Sequence, residues 1–341
     1  MKTEFIKILG IVACLLLVCQ TGFSSETIKK IKKRGVLKCG VSQGLPGFSA
    51  TDAKNNWIGI DVDYCKALAA ALLKDSSKVK YVPLSSKERF TALQSGEIDI
   101  LSRNTTYTLS RDAAQGIDFV GVTYYDGQGF MVRKDLGVGS AKELDGATVC
   151  VNAGTTTELN TADYFRSNKM KYKLVSFEKS DEVVAAYDSG RCDVYTTDQS
   201  GLYTQRIKLK DKTKHVVLPD VISKEPLGPA VRHGDNAFAD IARWVLYAML
   251  EAEELGVSSK NVSSMMKSST NPNIKRLFGL EGDMGAKLGL DKKWALRILE
   301  SVGNYGEIFE RNLGKNTSLG ISRGFNKLWT DGGLQYPMPV R

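Results

Sequence analysis

One phrase occurs twice in this chain: "LQSGEIDILSRN" at 93–104 and "YDSGRCDVYTTD" at 187–198. Each copy reads as a helix end closed by Ser-Gly, an aspartate three residues after the glycine, a short apolar strand and a polar tip. Around the first copy lie "VLKCGV" (36–41) as a strand, 61–74 as a helix, 78–84 as a strand, 87–96 as a helix and 98–103 as a strand. After Tyr125 the alternation restarts with strands at 129–133 and 147–151, a helix at 157–168, a strand at 173–177, a helix at 180–190 and a strand at 192–197. Such alternation predicts α/β architecture with a mostly parallel sheet, and its restart predicts two lobes. In open sheets of this kind ligands bind beyond the carboxyl ends of the strands, where both phrases deliver polar side chains.

The segment "SKEPLGPAV" (223–231), with two prolines and a glycine, reads as a crossing back to the first lobe. The expected organisation is a signal peptide at 1–25, a first lobe at 26–128 and 227–341, and a second lobe at 129–226. Residues 235–255 form a long amphipathic helix, and 256–341 read as an all-helical appendage with one helix near 291–312.

The export reading comes from the first 25 residues. Lys2 and Lys7 precede an apolar run from Ile8 to Val18 and then a polar, small-residue stretch. Eleven apolar residues are too few for the ~20 that span a bilayer. "IVAC" before Cys14 has lipobox-like lettering, but the apolar stretch continues past it instead of giving way to a polar tether. The four cysteines beyond residue 25 fit an oxidising compartment. Pairing near neighbours within one lobe gives Cys39 with Cys65 and Cys150 with Cys192, whereas the spacings and the two histidines argue against a metal site. The net charge of +9 falls to +8 without residues 1–25, which hold two lysines and one glutamate. Its lysines are scattered, and "KKIKKR" (29–34) reads as a solvated helix face, so nucleic-acid binding is not expected.

"GVSQG" (40–44) has the G-x-S-x-G spacing of an esterase elbow, yet no helix follows Ser42 directly and His215 and His233 both sit in charged turns. It is not a phosphate loop either. Three other features converge. Arg111 could grip a carboxylate bidentately; "NAGTTTEL" (152–159) offers a helix amino terminus with Thr155 and Thr156; Asp198 could neutralise an ammonium. Each alone has a plainer reading as ion pair or helix cap. Together, on facing lobe edges, they describe a receptor for a zwitterion such as a free α-amino acid.

These residues also resemble a known family. "GIDVDYCKALAAAL" (59–72) looks like the signature of the periplasmic solute-binding proteins for polar amino acids, and "ALQSGEIDILSRNTTYTLSR" resembles the segment carrying their carboxylate-binding arginine. "CGVSQGLPGFS", "NAGTTTELNTADYF", "GRCDVYTTDQSGLYTQR", "SKEPLGP" and "VGNYGEIFERNLG" are similar to a longer branch, the general L-amino-acid-binding components of ABC importers, which carries a carboxyl-terminal extension. The resemblance implies a class-II, two-lobed periplasmic binding protein, monomeric, that closes around a free L-amino acid and delivers it to a membrane permease without a cofactor or catalysis. It implies that Arg111 holds the α-carboxylate with Thr106 and the backbone at Thr155 and Thr156, that Asp198 takes the α-ammonium, and that Asn104 lies nearby. Leu45 stands where many relatives place an aromatic residue. Periplasmic dehydratases of cyclic amino-acid precursors resemble the same family and are the rival expectation.

Overall fold

The computed structural model describes residues 25–341. The signal peptide expected at 1–25, except Ser25 itself, and the question of Cys14 lie outside the described residues. Ser25 belongs to the folded body. Its side chain caps the helix Glu26–Arg34 by accepting from the Ile28 amide, and its hydroxyl donates to Asp235 at 2.7 Å. Lys29, Lys30, Lys32 and Lys33 on that helix face solvent, as expected of a solvated face.

Two five-stranded sheets carry the fold. The first has the spatial order Val79–Leu84, Leu37–Ser42, Ile100–Leu101, Ala230–Arg232, Ile117–Phe119, and the second Tyr172–Phe177, Ala147–Asn152, Val194–Asp198, Gln128–Arg133, His215–Val217. In each, the first three strands are parallel and the fourth runs antiparallel to both neighbours. That fourth strand is the one the chain enters on crossing between lobes. The two crossings pair as a short antiparallel ribbon, Tyr124–Asp126 against Glu225–Leu227.

The helix Ile60–Leu73 is buried over nearly its whole length because it is sandwiched between the first sheet and the helices Asn236–Glu254 and Trp294–Ser301. This explains its lack of a polar face in the sequence. Cys39 in the first sheet is joined to Cys65 on this helix, and Cys150 to Cys192 in the second lobe.

The appendage departs from expectation. The single helix near 291–312 is two, Trp294–Ser301 and Tyr305–Asn312, broken where Gly303 takes φ +89° and Asn304 starts the second helix in a reciprocal cap with Glu307. Beyond Asn312 the chain holds no α-helix to Arg341, only short 3₁₀ turns at Gly324–Asn326 and Trp329–Asp331. Glycines with positive φ at 320, 324 and 332, and Pro337 and Pro339, prevent a continuous helix. The appendage is therefore not all-helical. Its tail wraps the crossing ribbon: the Asn326 side chain accepts from the Tyr125 amide at 2.7 Å and donates to the Tyr125 carbonyl at 3.1 Å, while Tyr305 Oη donates to the Thr123 carbonyl.

Candidate functional site

The carboxyl ends of the two sheets face each other across the ribbon and enclose a cavity of about 40 Å³. The lobes touch around it. Lys208 Nζ reaches the Gly44 carbonyl at 2.9 Å and Asp181 at 3.0 Å, Thr204 donates to the Pro46 carbonyl, and Ser85 donates to Glu178. This is a closed arrangement.

From the first lobe, the strand Ile100–Leu101 runs into a tight loop at 102–106. Asn104 sits there at φ +27°, a conformation costly for a side-chain-bearing residue. Asp61, at the start of the buried helix, holds the loop: its carboxylate accepts from the Asn104 amide at 3.0 Å and from the Ser102 hydroxyl at 3.3 Å. Burial raises the Asp61 carboxyl to about 7 against these hydrogen bonds. The "GIDVDY" aspartate thus supports the site without lining it.

From the second lobe, Asp198 ends the strand Val194–Asp198 and starts the helix Gln199–Arg206, but its side chain makes no capping hydrogen bond. It is buried in the cavity wall, and among the described residues no protein donor bonds its carboxylate. Burial raises its affinity for a proton well above the usual range, reinforced by the negative charges of Asp126 and Glu225 and opposed by Arg111 and Arg89. Thr155 caps the helix Thr156–Ser167 through its hydroxyl, so its side chain is used structurally, and the turn it opens lines the cavity.

Thr106, Asn104, Thr155, Thr156, Leu45 and Asp198 all lie in the cavity wall. Ser42 is there too, which makes "GVSQG" the rim of the cavity. Its amide donates to Ser49, while His215 bonds Tyr187 and His233 pairs with Asp118, so both imidazoles are engaged elsewhere. Arg111 is buried but does not line the wall: its Nη1 donates to the Thr106 carbonyl at 2.9 Å, and its guanidinium lies 5.4 Å from the Phe90 ring centroid. Among the described residues no group of three or more histidine, cysteine or acidic side chains is placed to hold a metal.

Sequence reasoning missed two arginines and a glutamate. Arg89 and Arg103 line the cavity. Arg103 is braced by the Leu84 carbonyl and Ser86 and lowered to about 10 by burial. Arg89 is fully buried, donates to Thr105, and has no partner for its Nε. Burial and the charges of Arg111 and Arg103 weigh against its cation, and Asp198 favours it. Glu225, which opens the second ribbon strand, is 1% exposed beside Thr106 and Thr156. Arg89 sits in "KERFTALQSG", which reads as an ordinary amphipathic helix, and Glu225 between a lysine and a proline in a crossing segment. Local pattern gave neither a signal. Chemically, the wall sets the guanidiniums of Arg89 and Arg103 against one carboxylate, Asp198, that accepts no hydrogen bond from a described residue.

Comparison with known proteins follows the same line. Residues 37–261 match the family described as bacterial extracellular solute-binding proteins, family 3. The chain is 58% identical to the general L-amino acid-binding periplasmic protein AapJ of Rhizobium johnstonii, over 96% of this chain and 97% of that one. It is 54% identical to the glutamate/glutamine/aspartate/asparagine-binding protein BztA of Rhodobacter capsulatus, over 97% and 98%. A periplasmic binding protein from Brucella ovis, solved with glutathione bound, superposes with a TM-score of 0.91 at 56% identity and covers 93% of this chain and 100% of its own.

Proposed function

Because this chain belongs to the bacterial extracellular solute-binding proteins of family 3, we propose that it is the periplasmic substrate-binding component of an amino-acid ABC importer. It takes free L-amino acids with broad specificity between its lobes and presents them to the membrane permease. The observation that carries this reading is Asp198, a buried carboxylate that accepts no hydrogen bond from a described residue, facing arginines across the cavity. Leaving such a group uncompensated is costly, and a ligand ammonium removes that cost. The α-carboxylate goes to the guanidinium side and to the amides opening the helix Thr156–Ser167, with Arg111 ordering the Thr106 carbonyl and adding its charge.

In the cavity wall two guanidiniums, Arg89 and Arg103, face one carboxylate, Asp198, and this balance orders the ligands within that breadth. Acidic and amide side chains bind best, small neutral ones next, and lysine and arginine worst. The lobes divide at the ribbon, and the exported protein acts as a monomer from which a leader has been removed. No catalytic step belongs to this reading, and incubation with arogenate or prephenate leaves both unchanged; product formation would favour the dehydratase reading.

A thermal-shift screen tests the proposal with twenty L-amino acids, D-alanine and simple organic acids. A ligand at 100 times its Kd stabilises by ~2.7 kcal/mol. Many L-amino acids should raise Tm, with glutamate and glutamine among the strongest, and acids lacking the amino group should not. A screen in which only amine-free acids stabilise would reject the reading.

A further inference from the structure

Glu225 is the most heavily bonded carboxylate at the lobe junction, and all its partners are side chains. Its Oε2 accepts from Thr106 Oγ1 at 2.6 Å and from Thr156 Oγ1 at 2.9 Å. Its Oε1 accepts from Ser223 Oγ at 2.6 Å and from Asn160 Nδ2 at 2.7 Å. Thr106 belongs to the first lobe, Thr156 and Asn160 to the first turns of a second-lobe helix, and Ser223 to the crossing segment. One buried carboxylate thus ties both lobes and the ribbon together, and the two threonine hydroxyls it accepts from lie 3.3 Å apart.

With four donors satisfied, Glu225 has little capacity left for a ligand. It acts on the site through Thr106 and Thr156, both in the cavity wall. Since each hydroxyl proton is committed to Glu225, each hydroxyl oxygen presents lone pairs to its remaining surroundings.

We infer that Glu225 is a positioning residue for ligand capture: its carboxylate ties the two lobes in the closed form, orients the Thr106 and Thr156 hydroxyls, and so slows ligand escape. The inference rests on the reading of the cavity as an amino-acid site. It follows from geometry that opening the cleft must separate Thr106 from Thr156 and Asn160, so Glu225 cannot keep all four partners in an open form. The tie therefore favours closure with or without a guest, and a guest needs correspondingly less differential affinity to hold the lobes shut. Substitution by glutamine replaces an acceptor with a donor that meets the donating Asn160 or the two threonines, breaking the tie while keeping size and burial.

Glu225→Gln and Asn160→Ala, singly and together, are compared with the wild type in the full-length mature protein. Asn160 does not line the cavity, which makes its variant a probe of the tie alone. Stopped-flow and calorimetry with L-glutamine should show Kd raised at least tenfold in Glu225→Gln and several-fold in Asn160→Ala, mostly through a faster off-rate, with the double variant no worse than Glu225→Gln. Without ligand, small-angle scattering should give both variants a larger radius of gyration than the wild type. If Glu225→Gln fails to fold, Asn160→Ala decides by the same two readouts. An off-rate within twofold of wild type together with an unchanged radius of gyration overturns the inference. Should the wild type bind no amino acid, the functional reading fails, while the ligand-free scattering comparison still decides whether the tie exists.

Discussion

On the proposed reading, recognition turns on Asp198, because a guest changes the balance between its two protonation states. In the empty closed cavity burial and neighbouring acids favour its protonated form. An α-ammonium favours its ionised form, so binding should release a proton. The sign follows: with the carboxyl raised in the free protein and lowered in the complex, affinity falls as pH drops below its free value and is greatest on the alkaline side. The ligand's own amino and carboxyl groups do not titrate between pH 5 and 8. Calorimetry in buffers of different ionisation heat should therefore show proton release and weaker binding at pH 5 than at pH 8. Asp198→Asn should lose at least ~100-fold in affinity and the pH dependence with it, since an unpaired buried charge costs ~3–5 kcal/mol. Affinity that is flat with pH in the wild type would remove the ionisable partner from the account. Much of this was legible in the sequence. Asp198, Asn104 and Thr106 stand at strand tips where a repeated phrase announces them, whereas Arg89 was hidden because a charge on an amphipathic helix ordinarily faces water.

Among elements, the crossing ribbon is where sequence reading was weakest and where the appendage acts. Tyr124–Asp126 and Glu225–Leu227 are three residues each, too short to display a strand period, and they pair with each other across a separation of about a hundred positions in the chain. The longer strands Leu37–Ser42, Ala147–Asn152 and Tyr172–Phe177 fell within a residue or so of expectation, because each is an apolar run closed by turn residues. The tail was misread as helical because its role is to satisfy ribbon backbone. Asn326, 3% exposed, supplies one donor and one acceptor to Tyr125 and substitutes for a missing neighbouring strand. Asn326→Ala should therefore cost ~1–3 kcal/mol through unsatisfied Tyr125 groups. Urea unfolding reads this directly, and a loss under ~0.3 kcal/mol would mean that the clamp contributes nothing.

At the scale of the whole molecule, two five-stranded sheets, each with three parallel strands and an antiparallel fourth, meet through a ribbon, and charges of both signs line the space between them. The first lobe brings Arg89 and Arg103 to the cavity wall, with Arg111 buried against the same Phe90 ring as Arg89, and the second brings Asp198 and the helix start at Thr155 and Thr156. On the proposed reading a guest offers its anion to the guanidiniums and its cation to Asp198, which ties selectivity to closure. The most direct measurement compares L-glutamate with 2-oxoglutarate, which lacks the ammonium, and with 4-aminobutyrate, which lacks the α-carboxylate, by calorimetry on the mature wild-type protein. Glutamate should bind and each analogue should be weaker by at least ~100-fold, as expected when one buried charge goes unpaired. Binding of 2-oxoglutarate within tenfold of glutamate would contradict capture by opposite charges, and equally tight 4-aminobutyrate would contradict the place given to the α-carboxylate.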